Sequence, residues 1–220
     1  MTSFPIFIGL AGRPPLVVGG GSAAVIKART LLMRAPRVTL VAPAIGPDAR
    51  QLIDEERVEH VAACATVAHI KGRPLVISAT GDLNEDARVS AIAHALGVPV
   101  NVPDRPELCS FTLPAIVDRG VVTVAIGTEG AAPVLATRLR TQLEQELHPR
   151  LGRLAEIARE FRPEVAATLQ AGAPRRAFWS DIFSGSAADA ILRGDEEVGR
   201  TVIERHLAGQ ETSVARTGRV

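Results

Sequence analysis

The chain has 220 residues, 46% of them hydrophobic, and a formal net charge of +1 at pH 7. This length accommodates one α/β domain and a smaller partner with a substantial core, and the low net charge argues against a general nucleic-acid-binding protein. Two scattered cysteines, Cys64 and Cys109, form neither a disulfide framework nor a metal-spacing pair. With no apolar run of membrane-spanning length and no signal-peptide pattern, we expect a reduced, cytoplasmic setting.

The first hundred residues alternate between strand and helix patterns. Strands are predicted at Leu16–Val18, Val38–Val41, Val58–Ala62, Leu75–Ser78 and Pro99–Asn101. Helices are predicted at Ala23–Arg34, Ile45–Glu55 and Asn84–Leu96. Such alternation is typical of a parallel sheet flanked by helices. It predicts an α/β, Rossmann-type domain over residues 1–112.

A glycine cluster follows the first strand directly and precedes a helix. Its spacing, Gly19-x-Gly21-x-x-Ala24, is the G-x-G-x-x-G/A pattern of a dinucleotide-binding turn. Gly19 allows the tight turn, Gly21 leaves no side chain between backbone and pyrophosphate, and Ala24 keeps the helix near the sheet. The first helical N–H groups would then face the phosphates, with Ser22 as a possible helix cap. An ordinary Gly-rich turn of an α/β protein is the alternative interpretation.

The motif by itself leaves the choice between NAD and NADP open. An acidic residue about 20 residues after the glycines usually holds the ribose 2′-hydroxyl of NAD. The second strand ends instead in Ala42-Pro43-Ala44, and Asp48 comes several residues too late. The predicted cofactor is a nicotinamide dinucleotide, and the predicted cofactor-binding residues are Gly19, Gly21, Ser22, Ala23, Ala24, Pro43, Ala44, Thr80 and Asn101.

The pattern changes after Asn101. Two β-like runs, Phe111–Val117 and Val121–Ile126, are joined by a plausible turn at Asp118-Arg119-Gly120, and a helix is predicted over Pro133–Leu147. A hairpin with one helix buries too little apolar surface to be stable alone. We therefore expect residues 113–147 to be a dimerisation region that packs on a second copy of the chain, giving a homodimer.

The remainder is predicted to be helical. The predicted helices are Leu151–Phe161, Pro163–Ala171, Ala177–Phe183, Ala187–Arg193 and Glu196–Leu207. They form a C-terminal helical domain over residues 148–208, followed by a polar, disordered tail over residues 209–220. Phe178-Trp179 and Phe183 are interpreted as its core rather than as a stacking platform. The five histidines are scattered without an HxxxH or HxH pair, so no metal site is predicted.

Asp104 is the candidate catalytic acid or base. It lies just past the fifth strand, on the ligand side of the predicted sheet, between Pro103 and Arg105. A carboxylate there could take a proton while a hydride leaves for a nicotinamide. The alternative is a turn-capping Asp. Asp118 competes for the role, but it begins a β-turn, where Asp is a common structural residue.

Several motifs occur together in a recognisable order. They are Pro5-Ile6-Phe7, Val18-Gly19-Gly20-Gly21-x-x-Ala24-x-x-Lys27-Ala28, Asn101-x-x-Asp104, Ser110-Phe111-x-x-Pro114, Pro133-Val134-Leu135-Ala136 and Arg175-Arg176-x-Phe178-Trp179. In this combination, over about residues 3–208, the chain resembles the siroheme synthase amino-terminal module, the precorrin-2 dehydrogenase/sirohydrochlorin ferrochelatase family.

The resemblance implies oxidation of precorrin-2 by NAD⁺ to sirohydrochlorin and, in bifunctional members, Fe²⁺ insertion to give siroheme. It assigns Asp104 to both steps and implies an intertwined homodimer. The expected substrate-binding residues are Ser110, Thr128 and Arg138; Thr128 stands where many members have serine, and Glu129 beside it adds negative charge. Two alternatives stay open: a dehydrogenase that relies on a separate chelatase, and a catalytically inactive, dinucleotide-sensing regulatory dimer.

Overall fold

The computed structural model describes residues 3–10, 12–54 and 57–217. The chain divides into two compact units, Met1–Leu113 and Pro114–Val220. The first unit is α/β and the second is a hairpin with helices. Among the described residues, every helix is too short or too polar to cross a bilayer.

The first unit is built on a five-stranded parallel sheet. Its strands are β1 Leu16–Val18, β2 Val38–Val41, β3 Val58–Val61, β4 Val76–Ser78 and β5 Val100–Asn101. Its helices are α1 Ser22–Leu32, α2 Pro47–Asp54, α3 Val67–Ile70 and α4 Leu83–Ala95. The strand order is β3-β2-β1-β4-β5, and all neighbouring strands are parallel. The order reverses between β1 and β4, and ligands of such sheets bind at that switch point.

Alternating side chains of β1 enter two separate cores. Val17 packs with Leu40 and Ile77 in the core that includes α1 and α2 residues. Leu16 and Val18 pack in the opposite core, which includes residues of α4. Because both faces of the sheet are covered, its central strands are continuous apolar runs rather than alternating ones. Burial of the strands on both faces holds the ends of the strands in fixed positions.

The second unit joins an antiparallel hairpin to a set of helices. Its elements are β6 Ala115–Arg119, β7 Val122–Ile126, α5 Pro133–Glu146, α6 Leu151–Thr168, α7 Ala173–Ser184, α8 Ser186–Arg193 and α9 Glu196–Thr217. At the hairpin turn, the Gly120 N–H donates to the Asp118 carboxylate at 2.9 Å. Asp118 therefore acts as a turn residue. The helices share a core that includes Ile157, Phe178 and Ile191.

The predicted fold class is confirmed, with local corrections. A single helix, α6, replaces the two helices predicted on either side of Pro163. This proline is exposed and lies inside the continuous helix. Strand β6 begins at Ala115 rather than Phe111, after Pro114, which has no N–H for a ladder. The short helix α3 was not predicted.

The carboxyl-terminal prediction is also corrected. Helix α9 continues to Thr217, where a disordered tail from residue 209 was expected. No proline or glycine interrupts residues 210–217, which leaves no breaker to end the helix. Residues 218–220 lie outside the described residues. The first unit ends at Leu113, beside the predicted boundary at 112, and the finer division of the rest into 113–147 and 148–208 stays a prediction.

Candidate functional site at the carboxyl edge of the sheet

The glycine turn begins where β1 ends. Gly19 has φ +124°, a backbone conformation that a side chain would strain. Its N–H donates to the Val41 carbonyl of β2 at 3.0 Å. The predicted tight turn off the strand is therefore present, and it is tied to the neighbouring strand.

Close backbone contacts hold this turn on two sides. A Cβ at Gly19 would lie 2.4 Å from the Ala79 carbonyl oxygen, and a Cβ at Gly20 would lie 2.1 Å from the Ala44 carbonyl oxygen. Both distances are too short for any real side chain. A Cβ at Gly21, by contrast, would meet nothing within 4 Å. The turn is thus wedged between the loops after β2 and β4 and open only at Gly21.

Helix α1 starts at this opening. Its N-cap is Gly21, and no side chain caps it. The prediction that Ser22 caps the helix is wrong, because Ser22 is already the first helical residue. Ala24 is fully buried against the sheet, as the motif predicted, while Ala23 is exposed at the opening. The first-turn N–H groups of a helix without a side-chain cap are well suited to bind an anion.

The loop after β2 forms the neighbouring wall. Gly46 N–H donates to the Gly20 carbonyl at 2.9 Å, which joins this loop to the glycine turn. Pro43 and Ala44 are exposed there. An open glycine, an uncapped helix and small residues on the adjacent loop fit the pyrophosphate and adenosine ribose of a dinucleotide. The residues present thus fit an NAD(P) cofactor.

A buried carboxylate organises the turn after β4. Asp86 of α4 is only 6% exposed. One of its oxygens accepts from the Ser78 hydroxyl at 2.6 Å, from the Thr80 hydroxyl at 2.9 Å and from the Thr80 N–H at 3.2 Å. Asp86 therefore fixes Thr80, a predicted cofactor residue, at the switch point. Asp86 is not among the predicted site residues, since its position in a helix gives no sign of these partners in the sequence.

The loop after β5 is fixed by a thiol and an amide. The Asn101 amide donates to the Phe111 carbonyl at 3.0 Å. The buried Cys109 thiol accepts from the Val102 N–H at 3.1 Å and lies 3.2 Å from the Arg105 carbonyl. Asn101 therefore has a structural role in addition to its predicted cofactor role. The Cys109 contacts across the loop were not foreseen, because its partners are backbone groups.

Asp104 lies at the tip of this anchored loop. It is exposed and has φ +62°, one of two non-glycine residues with positive φ in the described part of the chain. Asp is among the residues that tolerate this conformation best, and such residues are enriched at functional sites. The carboxylate has no hydrogen-bond or ion-pair partner among the described residues. It is free to meet a ligand.

The predicted substrate residues are divided between the units. Ser110 lies in the first unit, where its hydroxyl accepts from the Val100 N–H of β5 at 2.8 Å. Thr128 and Arg138 belong to the second unit: Thr128 lies in the turn between β7 and α5, and Arg138 is exposed on α5. Glu129 has φ +52° in that turn. Ser110 thus holds the β5 loop by a hydrogen bond, and the Arg138 side chain is exposed to solvent.

An ion pair lies in the first half of α4, between Glu85 and Arg88. Arg88 donates to both carboxylate oxygens of Glu85 at 2.7 Å and to the Ala65 carbonyl at 2.6 Å. The hydrogen bond from Arg88 holds the pKa of Glu85 below its usual range. Among the described residues, the structure contains no cluster of three or more His, Cys, Asp or Glu side chains placed to hold a metal ion.

Comparison with known proteins decides the family. The family described as "Putative NAD(P)-binding" matches residues 6–115, half of the chain, which includes the glycine turn and the Asp104 loop. The chain belongs to this family. The NAD(P) cofactor predicted from the glycine turn is thereby confirmed. A second family, described as the sirohaem synthase dimerisation region, matches residues 150–214, within the helices rather than within the predicted dimerisation segment 113–147.

Curated relatives give the same direction. The chain is 42% identical to the siroheme synthase of Methylobacillus flagellatus over 96% of this chain and 45% of that protein. It is 40% identical to the siroheme synthase of Pseudomonas aeruginosa over 100% of this chain and 47% of that protein. The chain therefore spans less than half the length of these relatives. The resemblance to the siroheme synthase module is confirmed.

A solved structure supports the fold. SirC, precorrin-2 dehydrogenase, superimposes with a TM-score of 0.73 at 19% identity, covering 92% of this chain and 100% of that one. At this identity the likeness concerns the fold alone. It extends over both units of the present chain.

Two glycine variants separate folding from cofactor binding. Gly21→Ala places its methyl in open space and should fold, losing no more than about 1 kcal/mol at the N-cap. Gly20→Ala drives its methyl into the Ala44 carbonyl and should lower the free energy of unfolding by about 1–3 kcal/mol. Calorimetric titration with NAD⁺ should show at least about tenfold weaker binding to Gly21→Ala, because the methyl occupies the pyrophosphate position. A well-folded Gly21→Ala protein with unchanged NAD⁺ affinity would contradict this assignment.

The role of Asp86 is tested by two variants, one isosteric and one that truncates the side chain. Asp86→Asn retains an acceptor oxygen for the Ser78 and Thr80 donors, whereas Asp86→Ala leaves them without a partner and should cost about 1–3 kcal/mol of stability. NAD⁺ affinity should fall with Asp86→Ala and stay within about twofold with Asp86→Asn, because the turn keeps its shape. Chemical unfolding and NAD⁺ titration give both quantities, and equal effects of the two variants would show that the charge, not the hydrogen bonding, matters.

Proposed function

We propose that this chain catalyses the NAD⁺-dependent oxidation of precorrin-2 to sirohydrochlorin, a step of siroheme biosynthesis. The observation that carries the proposal is the pairing of two features at the carboxyl edge of one sheet: an open dinucleotide turn at Gly21 and a carboxylate, Asp104, on an anchored loop. The similarity to siroheme synthases and to the fold of a precorrin-2 dehydrogenase supports it. NAD(P) binding alone would fit many dehydrogenases.

The chain would hold the cofactor through backbone groups. The N–H groups at the start of α1 would bind the pyrophosphate, and the open face of Gly21 would let it approach. The loop at Pro43 and Ala44 carries no carboxylate for the ribose 2′-hydroxyl. NAD is proposed over NADP because that loop, Pro43–Gly46, also carries no arginine or lysine to pair with a 2′-phosphate. When bound, the nicotinamide supplies the acceptor for a hydride.

Asp104 would handle the proton of the same oxidation. Precorrin-2 loses two hydrogens as a hydride and a proton, so a base must take the proton while the hydride leaves. The Asp104 carboxylate is exposed and has no partner among the described residues. Its loop is stiffened by the Cys109 contacts, which limits the positions that the carboxylate can reach. Asp104 is the proposed general base.

A second reaction would use the same carboxylate. Insertion of Fe²⁺ into sirohydrochlorin expels two pyrrole N–H protons, and these need an acceptor. The free carboxylate of Asp104 favours this activity as an addition to the dehydrogenase, with Fe²⁺ as a substrate. A dehydrogenase with a separate chelatase, and an inactive dinucleotide-sensing dimer, are the alternatives that the assays below distinguish.

A homodimer is proposed from an exposed apolar face of α5. Val134 is 83% exposed, Leu135 49% and Leu139 37%, although all three are large and apolar. Such contiguous exposure is typical of a protein–protein interface. The similarity of residues 150–214 to a sirohaem synthase dimerisation region supports assembly as well. A second copy of the chain is the proposed partner of this face.

Asp104→Asn should abolish turnover without altering the loop. Asn tolerates the positive φ at this position, so the backbone should stay unchanged, while the base is lost. The rate of NADH formation from precorrin-2 should fall by about 10²–10⁴-fold, and NAD⁺ affinity should stay within about twofold. Absorbance of NADH and of sirohydrochlorin follows the reaction.

Glu107→Gln is the matched control, because it removes the same charge from an exposed side chain of the same loop. Its activity should stay near that of the unmodified protein. Full turnover by Asp104→Asn would remove Asp104 from the mechanism, and absence of NADH formation by the unmodified protein would overturn the dehydrogenase. Addition of Fe²⁺ to sirohydrochlorin, against an enzyme-free control, shows whether chelation occurs and whether Asp104→Asn also slows it.

The dimer should depend on the α5 face. Sedimentation equilibrium should give twice the chain mass of 23.2 kDa. Leu135→Arg combined with Leu139→Arg places charge in the apolar contact and should raise the dimer dissociation constant by at least about 100-fold. Met33→Arg, an equally exposed apolar position on the other unit, is the control and should leave the mass unchanged. A monomeric unmodified protein, or a dimer that survives the α5 changes, would contradict the proposed interface.

A further inference from the structure

The second unit contains a cavity that has no part in the proposed function. Its volume is about 370 Å³. Helices α6 and α7 form most of it, through Ala155, Ala158, Arg159, Arg162, Trp179 and Phe183. The two alanines leave room that larger side chains would fill. Cavities of this volume lie at the lower end of the range for ligand sites.

One wall of the cavity is a pair of stacked rings. Trp179 and Phe183 are one helical turn apart, with ring centroids 5.7 Å apart and planes only 21° from parallel. Phe178 is only 2% exposed, so it is a core residue, and its ring contacts the Trp179 ring edge-to-face with centroids 5.1 Å apart. Phe183, however, is 48% exposed. The prediction that all three rings are core is therefore right for Phe178 and for Trp179, which is partly buried and packs against that core, whereas Phe183 is exposed. Trp179 and Phe183 form a stacked pair that lines the cavity.

Two arginines that line the cavity, Arg159 and Arg162, differ from the other arginines close to them in sequence. On the same helix, Arg153 is paired with Glu196 at 2.8 Å. Arg175 of α7 is also engaged, donating to the Leu169 carbonyl at 2.8 Å. Arg159 and Arg162, in contrast, are exposed and have no ion-pair partner among the side chains that the structure describes. Two free cations beside stacked aromatic rings favour a ligand that is both aromatic and anionic.

We propose that this cavity is a subsite for a tetrapyrrole polycarboxylate. Its pyrrole rings would stack on Trp179 and Phe183, and its peripheral carboxylates would pair with Arg159 and Arg162. The cavity is smaller than a whole macrocycle, so it holds one edge and leaves the rest outside. The choice of a tetrapyrrole rests on the proposed function, whereas the requirement for an aromatic polyanion comes from the cavity itself.

The chain offers a direct reporter, because Trp179 is its one tryptophan. Uroporphyrin, a planar macrocycle with eight carboxylates, serves as the probe. Titration of the full chain with uroporphyrin should quench Trp179 fluorescence saturably. Fluorescence quenching alone does not show where on the chain uroporphyrin binds, so variants are needed to locate the binding site. Calorimetry with the same probe gives the affinity independently of fluorescence.

Arg159→Ala combined with Arg162→Ala should weaken uroporphyrin binding by at least about tenfold, because each arginine supplies a charged hydrogen bond. Arg193→Ala combined with Arg205→Ala is the matched control: it removes two exposed arginines of α8 and α9, away from the cavity, and the same net charge. Phe183→Ala should weaken binding as well. In the unmodified protein, added NaCl should reduce the affinity more steeply than in the Arg159/Arg162 variant.

Equal affinities of the Arg159/Arg162 variant and the Arg193/Arg205 control would overturn the proposal. Unchanged Trp179 fluorescence on addition of uroporphyrin to the dimer would also overturn the proposal. A second copy of the chain would then cover the cavity. These outcomes are independent of the dehydrogenase proposal, which fails only if precorrin-2 and NAD⁺ give no NADH. A chain that binds uroporphyrin at the cavity without forming NADH would retain the subsite and lose the dehydrogenase.

Discussion

The close packing of backbone against backbone at the glycine turn is the constraint on which the site depends. Gly19 and Gly20 lie so near the carbonyls of Ala79 and Ala44 that no side chain fits between them. This contact holds the loops after β2 and β4 together around the start of α1. Among the three glycines of the turn, only Gly21 would leave an added Cβ in open space. Loss of these contacts would change the shape of the proposed cofactor site.

The remainder of the sheet edge is stiffened by polar contacts of a different kind. Asp86 gathers the donors of Ser78 and Thr80, and the Cys109 thiol gathers backbone groups of the β5 loop. Buried hydrogen bonds of this type fix loop geometry, since an unpaired partner would be costly. At the tip of the loop, Asp104 is exposed and has no partner among the residues that the structure describes. The fold thus separates residues that support the site from the one proposed to react.

In the second unit, ion pairs hold the helices together. Arg150 and Arg153 join α6 to α9 through Glu196, and the hydrogen bond from Arg153 holds the pKa of Glu196 below its usual range. These arginines tie helices together, whereas the two arginines at the cavity do not. The apolar side chains that α5 exposes are a further surface that the isolated chain leaves uncovered. Both features point to functions that involve another molecule.

Periodicity and composition determined the α/β class, the parallel sheet, most element positions and the cofactor turn, because these depend on local chain geometry and on burial patterns. The family resemblance also followed from motifs in order along the chain. Tertiary structure alone decided the partners of Asp86 and Cys109, the continuity of α6 through Pro163 and the exposure of Phe183. Each of these depends on groups distant in sequence or on whether a neighbouring surface is covered. A linear pattern of residue types carries no such information.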